Sequence, residues 1–470
     1  MTTTADGANP ADLAAAHLAP PSSAGTNVGL VNDTRRARHL TPVSPNGEGG
    51  DEHSEGAVAE RAHAELAGLE LGEIAERAGL RRIDALAWRD YDDPEAGGSE
   101  LHAHRIFAAW ADAGLDVTMT TSAVPVGATV VRRDGYRVVR RSGRYGLFPR
   151  TMLSGALGRI GSGDGLVEIW NGMPFFSPAW CRAPRIVFLH HVHAEMWHMV
   201  LPRHLARIGH AIEHHVAPPF YRQARIVTLS HSSKAEIVDR LALAPEHITV
   251  VPPGVEPHFS PGGEKAPHPL VVAVGRLVPV KRFDLLVDAL VRLRSRHPDL
   301  EAVIVGEGYE RPALEALVAA RGAGEWLSLP GYLADDDLVA LYRRAWVVTS
   351  ASQREGWGMT VTEAGACGTP AVVTRIGGHE DAVADGRSGL LADTMDDLVA
   401  GLDAVLGDEV LRRRLTTGAV ERAAALTWEE TARGALAALA AEALARRSSP
   451  LIAAAGRPCS TRTPTEQATT

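Results

Sequence analysis

The sequence contains little cysteine and no long apolar run. Its three cysteines, Cys181, Cys367 and Cys459, lie far apart and form no C-x-x-C pair, so neither a disulfide framework nor a zinc knuckle is indicated. No run of about 18 apolar residues occurs, so no segment is expected to span a bilayer. The N-terminus shows no charged region followed by an apolar one, as a secretory signal would, and we expect a cytoplasmic protein.

Positive charge is also in short supply. Lysine and arginine number 48 against 57 aspartates and glutamates, and the net charge of −9 argues against binding to nucleic acid, which depends on phosphate neutralisation. No G-x-G-x-x-G fingerprint follows the first strand predicted in either half, so a dinucleotide is not expected. The acidic run at 335–337 suits the N-cap and first turn of a helix better than a metal site. We therefore expect neither a cofactor nor a metal ion.

What the sequence does contain is two series of short apolar strands that alternate with helices. Its 470 residues exceed the roughly 250–300 residues that one hydrophobic core can hold. Strands joined by helical crossovers form parallel sheets, so we predict an α/β fold with two Rossmann-like domains facing across a cleft. The predicted divisions are a disordered N-terminal extension (1–55), a first domain (56–257), a proline- and glycine-rich linker (258–268), a second domain (269–426), a helix returning to the first domain (427–447) and a disordered tail (448–470).

The apolar segments give definite strand predictions. In the first domain they are Ile83–Trp88, Asp116–Thr121, Tyr136–Arg140, Leu166–Trp170, Arg185–Leu189, Arg225–Leu229 and Ile248–Val251. In the second domain they are Leu270–Val274, Ala302–Val305, Trp326–Leu329, Trp346–Thr349, Ala371–Thr374 and Gly389–Leu391. Ligands of such sheets bind beyond the carboxyl ends of the strands, which predicts a site in the cleft between the domains.

Two cations follow the first strand of the second domain. Gly275 permits a tight turn, and Arg276 and Lys281 lie in the loop at the carboxyl end of the strand. An arginine fork and a lysine point charge together suit a diphosphate. Ordinary surface charges at a solvated helix start are the alternative interpretation.

Two glutamates stand in a glycine-rich setting further along the second domain. Gly356 and Gly358 predict that Glu355 lies on a loop and that Glu363 lies in the helix that follows. The first backbone N–H groups of that helix would then point at a bound anion. They belong to Gly358, Met359 and Thr360. The Glu363 carboxylate could hold two vicinal hydroxyls. A surface carboxylate is the alternative interpretation for either glutamate taken singly.

The first domain offers a glycine turn after its first strand. Gly97 and Gly98 would let backbone N–H groups approach a phosphate or a sugar, and Ser99 is the predicted N-cap of the helix that follows, with Glu100 in its first turn. Simple helix initiation is the alternative interpretation.

Histidines end a later strand at the same predicted edge. His190, His191 and His193 need not converge on one point, so a metal site is not favoured. Strand register favours His190 as the residue that faces the ligand, and His191 is nearly as good. The stretch that follows mixes histidines and arginines with Trp197, Met199 and Leu201, which suggests either a helix packed on the first domain or an interfacial membrane patch.

Four segments of the second domain, within residues 269–440, stand out in order: VGRLVPVKRFDLLVDAL, HPDLEAVIVGEG, LPGYLADDDLVALYRRA and SQREGWGMTVTEAGACGTPAVVTRIGGHEDAV. In this order they resemble GT-B-fold retaining glycosyltransferases of family 4 (glycosyl transferases group 1). The resemblance implies that Arg276 and Lys281 hold the donor diphosphate. It also implies that Glu355 lies near the donor sugar and that Glu363 binds the ribose hydroxyls.

The same resemblance makes the second domain the donor side and the first domain the acceptor side. Gly97 and Gly98 would face the diphosphate across the cleft, and either His190 or His191 would lie close to the donor sugar. The expected function is transfer of a hexosyl group from a nucleoside-diphosphate sugar to an acceptor hydroxyl, with retention and without a metal ion. A nucleotide-sugar epimerase, a phosphorylase and a non-catalytic nucleotide-sugar-binding protein are the alternatives.

The expected partners are the nucleoside-diphosphate sugar and an acceptor whose class stays open among lipid-linked sugars, small molecules and glycans. No nucleic acid is expected. The expected location is the cytoplasm, with a peripheral contact on the inner face of the plasma membrane left open.

Overall fold

The computed structural model describes residues 55–125, 127–194, 196–197 and 202–448. The segments predicted to be disordered, 1–55 and 448–470, fall outside these ranges apart from one helical residue at each inner end. Cys459, Met199 and Leu201 also lie outside the described residues. Cys181 and Cys367 are buried and free.

Apolar runs form two sheets. The first sheet has eight strands in the order β3-β4-β2-β1-β5-β6-β7-β8, and every neighbouring pair is parallel except β3 and β4. Its strands are β1 (Arg82–Leu86), β2 (Asp116–Thr121), β3 (Val130–Arg133), β4 (Tyr136–Arg140), β5 (Gly165–Ile169), β6 (Arg185–Phe188), β7 (Arg225–Thr228) and β8 (Ile248–Val250). The central strands β5, β6 and β7 are buried at every position, as expected for strands covered on both faces.

The second sheet has six parallel strands in the order β11-β10-β9-β12-β13-β14. They are β9 (Leu270–Val274), β10 (Glu301–Val305), β11 (Leu327–Gly331), β12 (Val347–Ser350), β13 (Ala371–Thr374) and β14 (Gly389–Ala392). The predicted fold class, with two parallel-sheet domains, is confirmed. Asp335–Asp337 occupy the first turn of a helix, whose N-cap is Ala334.

Helices connect these strands. The helices of the first domain are α1 (Glu55–Ala67), α2 (Leu71–Ala78), α3 (Gly98–Asp112), α4 (Leu147–Ala156), α5 (Ser177–Trp180), α6 (Arg203–Ala211), a π-helical turn (Ile212–Val216), α7 (Pro218–Tyr221), α8 (His231–Leu241) and a 3₁₀ turn (Pro245–His247). Those after the linker are a 3₁₀ turn (Pro279–Lys281), α9 (Phe283–Arg294), α10 (Arg311–Ala320), α11 (Asp335–Arg344), α12 (Met359–Ala366), α13 (His379–Ala382), α14 (Met395–Gly407), α15 (Glu409–Ala424) and α16 (Trp428–Ser448).

Strand β3 is the element that the apolar pattern did not predict. It pairs antiparallel with β4 through Asp134 and Gly135, which have φ values of 41° and 83°. Positive φ at both central residues is typical of a type I′ hairpin turn, for which Asp-Gly is a preferred sequence. The sequence signal was therefore present. The strand itself is polar because it lies at the sheet edge, where its side chains are only partly buried.

The last helix, α16, packs against the first domain. Its alanines from 435 to 441 are nearly all fully buried, and Trp110 of α3 donates its indole N–H to the Ala432 carbonyl over 2.9 Å. A Cβ on Gly165 of β5 would lie 2.9 Å from Leu439 Cδ2, so the glycine permits the close approach of α16 to the sheet. Among the described residues, no helix is both long enough and apolar enough to cross a membrane.

Candidate active site

The loops that follow β9 and β12 bring a lysine and a glutamate into contact. Lys281 ends the 3₁₀ turn after β9, and its Nζ donates to Glu355 Oε1 over 2.5 Å. Ser352 Oγ donates to the same oxygen over 2.7 Å. Burial opposes ionisation of Glu355, but Lys281, His379 and the Ser352 hydroxyl outweigh it and lower the pKa of the carboxyl. Glu355 is therefore a carboxylate at neutral pH.

Glycines let the Glu355 loop turn sharply and approach its neighbours. Gly358 has a φ of 103°, which favours glycine, and a Cβ there would lie 3.1 Å from His379 Cδ2. A Cβ on Gly356 would lie 3.0 Å from the carbonyl oxygen of His190 in the first domain. The loop thus contacts both domains, and substituting either glycine would force its neighbours apart.

Helix α12 begins opposite helix α3. Gly358 is the N-cap of α12, and a Cβ on Gly98, the first residue of α3, would lie 3.0 Å from Met359 Sδ. The first turns of the two helices therefore meet across the cleft. The first N–H groups of α12, at Met359 and Thr360, have no partner within the helix. Two helix N-termini near one point favour binding of an anion.

The first turn of α3 is capped differently from the prediction. The N-cap is Gly97, not Ser99, and the Gly97 N–H donates to Glu100 Oε2 over 2.8 Å. Ser99 Oγ donates to the same carboxylate over 2.9 Å. The glutamate side chain reaches back one turn, as in a capping box, so the serine oxygen is not needed as a cap. The Gly97 amide is therefore already occupied, whereas Gly98 begins the helix.

Glu363 lies in α12 beside other acidic groups. Burial, followed by the negative charges of Glu256 and Asp335, raises the pKa of the Glu363 carboxyl to about 7. Glu256 belongs to the segment between the domains and accepts from Arg105 Nε of α3 over 2.5 Å. Near neutral pH the Glu363 carboxyl is thus balanced between its two protonation states. A ligand that donates hydrogen bonds to it would favour the ionised state.

The neighbouring histidines after β6 make different contacts. His190 Nε2 lies 3.2 Å from Nδ1 of His102, a buried residue of α3. His191 lies instead among charged groups. Burial lowers its pKa to about 4, with Arg354 adding to that effect and Glu355 opposing it. Within the described residues, His191 Nε2 is buried without a hydrogen-bond partner. Adjacent residues at a strand end project to opposite sides, and this geometry favours His191 over His190 as the ligand-facing residue.

Arg276 lies at the same place but makes no ion pair within the described part of the chain. Its side chain is exposed, and its positive charge also lowers the pKa of His191. A Cβ on the preceding Gly275 would lie 3.4 Å from Lys281 Cε, so the two cations share one tight loop. Within the described residues, Lys281 contacts Glu355, whereas the Arg276 guanidinium makes no side-chain hydrogen bond and can donate all of its N–H groups to a ligand.

Sequence reasoning missed the contacts that α8 makes with the second domain. The Asp381 carboxylate accepts from the His231 and Ser232 N–H groups over 2.9 and 3.0 Å, at the start of α8. Ser232 Oγ in turn accepts from the Gly378 N–H over 2.7 Å. We call these three hydrogen bonds between α8 and the second domain the Asp381 clasp. A Cβ on Gly378 would lie 2.5 Å from the Glu355 carbonyl oxygen, so the clasp adjoins the Glu355 loop.

A second contact of the same helix reaches the Glu355 loop directly. Arg354 donates to the Val192 carbonyl over 2.8 Å and pairs with Glu236 of α8. Ser233 Oγ of α8 donates to the His190 carbonyl over 3.0 Å. No local pattern in the sequence marks these residues, because their roles depend on how the two domains approach each other. Among the described residues, no group of three or more His, Cys, Asp or Glu side chains could hold a metal ion.

Comparison with known proteins defines the class. The family model for Glycosyltransferase Family 4 matches residues 96–259, and that for glycosyl transferases group 1 matches residues 255–422. The structure is similar to sucrose-phosphate synthase from Thermosynechococcus elongatus (21% identity, TM-score 0.64, 75% of this chain and 96% of that one). It is also similar to Anabaena HepE solved with UDP and glucose (18% identity, TM-score 0.57, 74% and 95%). These likenesses establish the GT-B fold.

The chain belongs to the group 1 glycosyltransferases of the GT-B fold. It is similar to D-inositol 3-phosphate glycosyltransferase of Stackebrandtia nassauensis, with 36% identity over 244 residues, 47% of this chain and 55% of that protein. The enzyme of the same name in Acidothermus cellulolyticus is 37% identical over 232 residues, 45% of this chain and 52% of that protein. The chain thus spans about half the length of the curated relatives it matches.

Proposed function

We propose that the protein is a retaining, metal-independent glycosyltransferase that moves a hexosyl group from a nucleoside-diphosphate sugar to an acceptor hydroxyl. The observation that carries this proposal is the contact between Lys281 and Glu355 beside the start of α12, opposite the start of α3. The second domain would bind the donor and the first domain the acceptor.

The diphosphate leaving group would bind beside Arg276, Lys281 and the start of α12. As the glycosidic bond breaks, negative charge develops on the diphosphate, and positive groups fixed in advance stabilise that charge. Arg276 supplies an available guanidinium fork, Lys281 supplies an ammonium, and Met359 and Thr360 supply backbone N–H groups. The Gly98 N–H would approach from the other domain. No bound metal ion is required for this arrangement.

The sugar would lie between the Glu355 loop and the end of β6. The Glu355 carboxylate, kept ionised by Lys281, would stabilise the positive charge that develops on the sugar ring. His191 is neutral at physiological pH and buried, so its free Nε2 could exchange a hydrogen bond with a sugar hydroxyl. His190 is committed to His102 and would support the strand end from behind.

The pentose would bind at Glu363. A carboxylate accepts hydrogen bonds from two vicinal hydroxyls. Because the pKa of Glu363 is raised, its carboxyl must lose a proton when the pentose binds. Arg105 and Glu256 contact each other, and the Glu256 charge acts on Glu363, so this pair would lie close to the bound pentose.

The ligands and names of similar proteins suggest which donor and acceptor to test first. The HepE structures hold UDP, glucose and UDP-glucose, so a UDP-hexose is the first donor to test. The relatives named above act on D-inositol 3-phosphate, as their name states, so it is the first acceptor, followed by lipid-linked sugars and glycan ends.

The test combines ligand binding with product analysis. A thermal-shift screen against UDP-, GDP- and dTDP-sugars should identify the donor, because a ligand that binds only the folded state raises its melting temperature. With that donor and an acceptor, the product should keep the anomeric configuration of the donor, as read by NMR. Glu355→Gln should retain donor binding and lose about 10²-fold in turnover, whereas the exposed Glu380→Gln should behave as wild type. A product of inverted configuration would contradict the retaining mechanism.

Two alternatives give different products. An epimerase would convert the donor sugar without an acceptor, and a non-catalytic sensor would bind the donor and form no product with any acceptor. Both are distinguished from transfer in the same product assay. The proposed location is the cytoplasm.

A further inference from the structure

Helix α6 turns its largest apolar side chains outward. Its buried residues are the small ones, Ala206 and Gly209, and a Cβ on Gly209 would lie 2.6 Å from the Trp197 ring. Leu205 and Ile208, by contrast, are 44% and 55% exposed. A helix that served only to pack on its own domain would bury the large apolar residues. The exposed face of α6 is therefore suited to contact with something outside the described fold.

The elements that follow α6 also expose large apolar side chains. Val216, at the end of the π-helical turn, and Phe220, in α7, are each 48% exposed. The Phe220 ring packs edge-on against Phe176 at 5.4 Å between centroids, which holds it in place at the surface. The basic apolar surface is defined here as Arg203, Leu205, Arg207, Ile208, Val216, Phe220 and Arg222.

The exposed charge of this surface is positive throughout. Residues 202–223 contain three arginines and a single acidic residue, Glu213. Glu213 is fully buried and accepts from the His193 and Ala194 N–H groups over 2.8 and 3.0 Å, so it does not neutralise the surface. Within the described part of the chain, Arg203 and Arg207 make no ion pair. The surface is therefore basic although the net charge of the chain is −9.

We propose that the basic apolar surface docks the protein on the anionic face of a lipid bilayer. The apolar side chains would enter the boundary between head groups and acyl chains, while the arginines would meet lipid phosphates. A bilayer is the occupant that this chemistry fits, because the arginines match anionic head groups and the exposed apolar side chains match the acyl-chain boundary. The docking is independent of sugar transfer, and it would hold the first domain close to the membrane.

Sedimentation with vesicles tests the docking directly. The full chain is mixed with vesicles of phosphatidylcholine alone or with about one third phosphatidylglycerol, and the bound fraction is measured at low and at physiological salt. We expect strong binding to the anionic vesicles only. Arg203→Glu with Arg207→Glu should lower partitioning by about 30-fold or more, and Leu205→Ser with Ile208→Ser by about tenfold.

Matched controls lie on α15 of the second domain. Val410→Ser removes an apolar side chain that is more exposed than Leu205 or Ile208. Arg413→Glu with Arg414→Glu reverses two exposed charges. Neither change should alter vesicle binding. All variants should keep the wild-type melting temperature and affinity for the nucleotide sugar, which separates loss of docking from loss of the proposed function. The proposal is overturned if the surface variants bind vesicles as wild type does, or if wild type does not bind anionic vesicles. It is also overturned if the only effect of Leu205→Ser with Ile208→Ser is the loss of a dimer.

Discussion

The raised pKa of Glu363 should give donor binding a defined pH dependence. Only the carboxylate form can accept hydrogen bonds from both ribose hydroxyls, so apparent affinity should follow the ionised fraction of Glu363. With a pKa of about 7, that fraction is about one tenth at pH 6 and about nine tenths at pH 8. Affinity for UDP-glucose should therefore rise about tenfold over this interval, equivalent to about 1.4 kcal/mol.

Isothermal titration calorimetry with intact UDP-glucose is the suitable assay, because its diphosphate diester does not titrate in this range. Glu363→Gln should bind more weakly at high pH and show a nearly flat pH profile. dTDP-glucose, which lacks the 2′-hydroxyl, should show a smaller pH dependence than UDP-glucose.

The raised pKa of Glu363 also predicts how the stability of the free protein depends on pH. Because the folded pKa lies above the usual value of 4.5, its stability should fall as pH rises from about 4.5 through about 7. An affinity that is constant with pH in wild type would refute the placement of the pentose at Glu363.

Three further predictions concern the clasp, the metal and the glycine loop. Asp381→Asn should weaken the cap that joins the second domain to α8 and lower kcat about tenfold with little change in KM for the donor. A rise in KM as large as the fall in kcat would instead indicate a role in donor binding. EDTA should leave turnover intact, and an activity abolished by EDTA and restored by Mn²⁺ would contradict metal independence. Gly358→Ala should destabilise the fold by about 1 kcal/mol or more, because φ is 103° there. The control Gly407→Ala has open space around its Cβ, and an equal drop in melting temperature for both variants would argue against strain at Gly358.

Local sequence patterns predicted the strands well. A short apolar run such as Leu270–Val274, rich in β-branched residues, favours a buried strand, and the structure has that strand with the same bounds. The glycines around Glu355 predicted a loop followed by a helix, and the structure has this order. The hairpin at Asp134 was missed although its turn signal was present, because its strand is too polar for the apolar pattern.

Contacts between distant segments could not be predicted in this way. Asp381 caps a helix of the other domain, and Glu236 pairs with Arg354 across 118 positions of sequence. The exposure of Leu205 could not be predicted either, because the same sequence could form a helix that buries its large apolar residues. These features depend on the three-dimensional packing of the domains rather than on spacing along the chain.

Calorimetric titration of an Arg276→Gln, Lys281→Gln double variant with UDP-glucose, or with whichever nucleotide sugar stabilises wild type most, tests the central claim most directly. Charge-assisted hydrogen bonds contribute about 1.5–3 kcal/mol each, so losing both cations should weaken binding by at least about 100-fold. Arg292→Gln, an exposed change on α9, should have no effect. Wild-type affinity in the double variant would contradict the account of a diphosphate held at this loop.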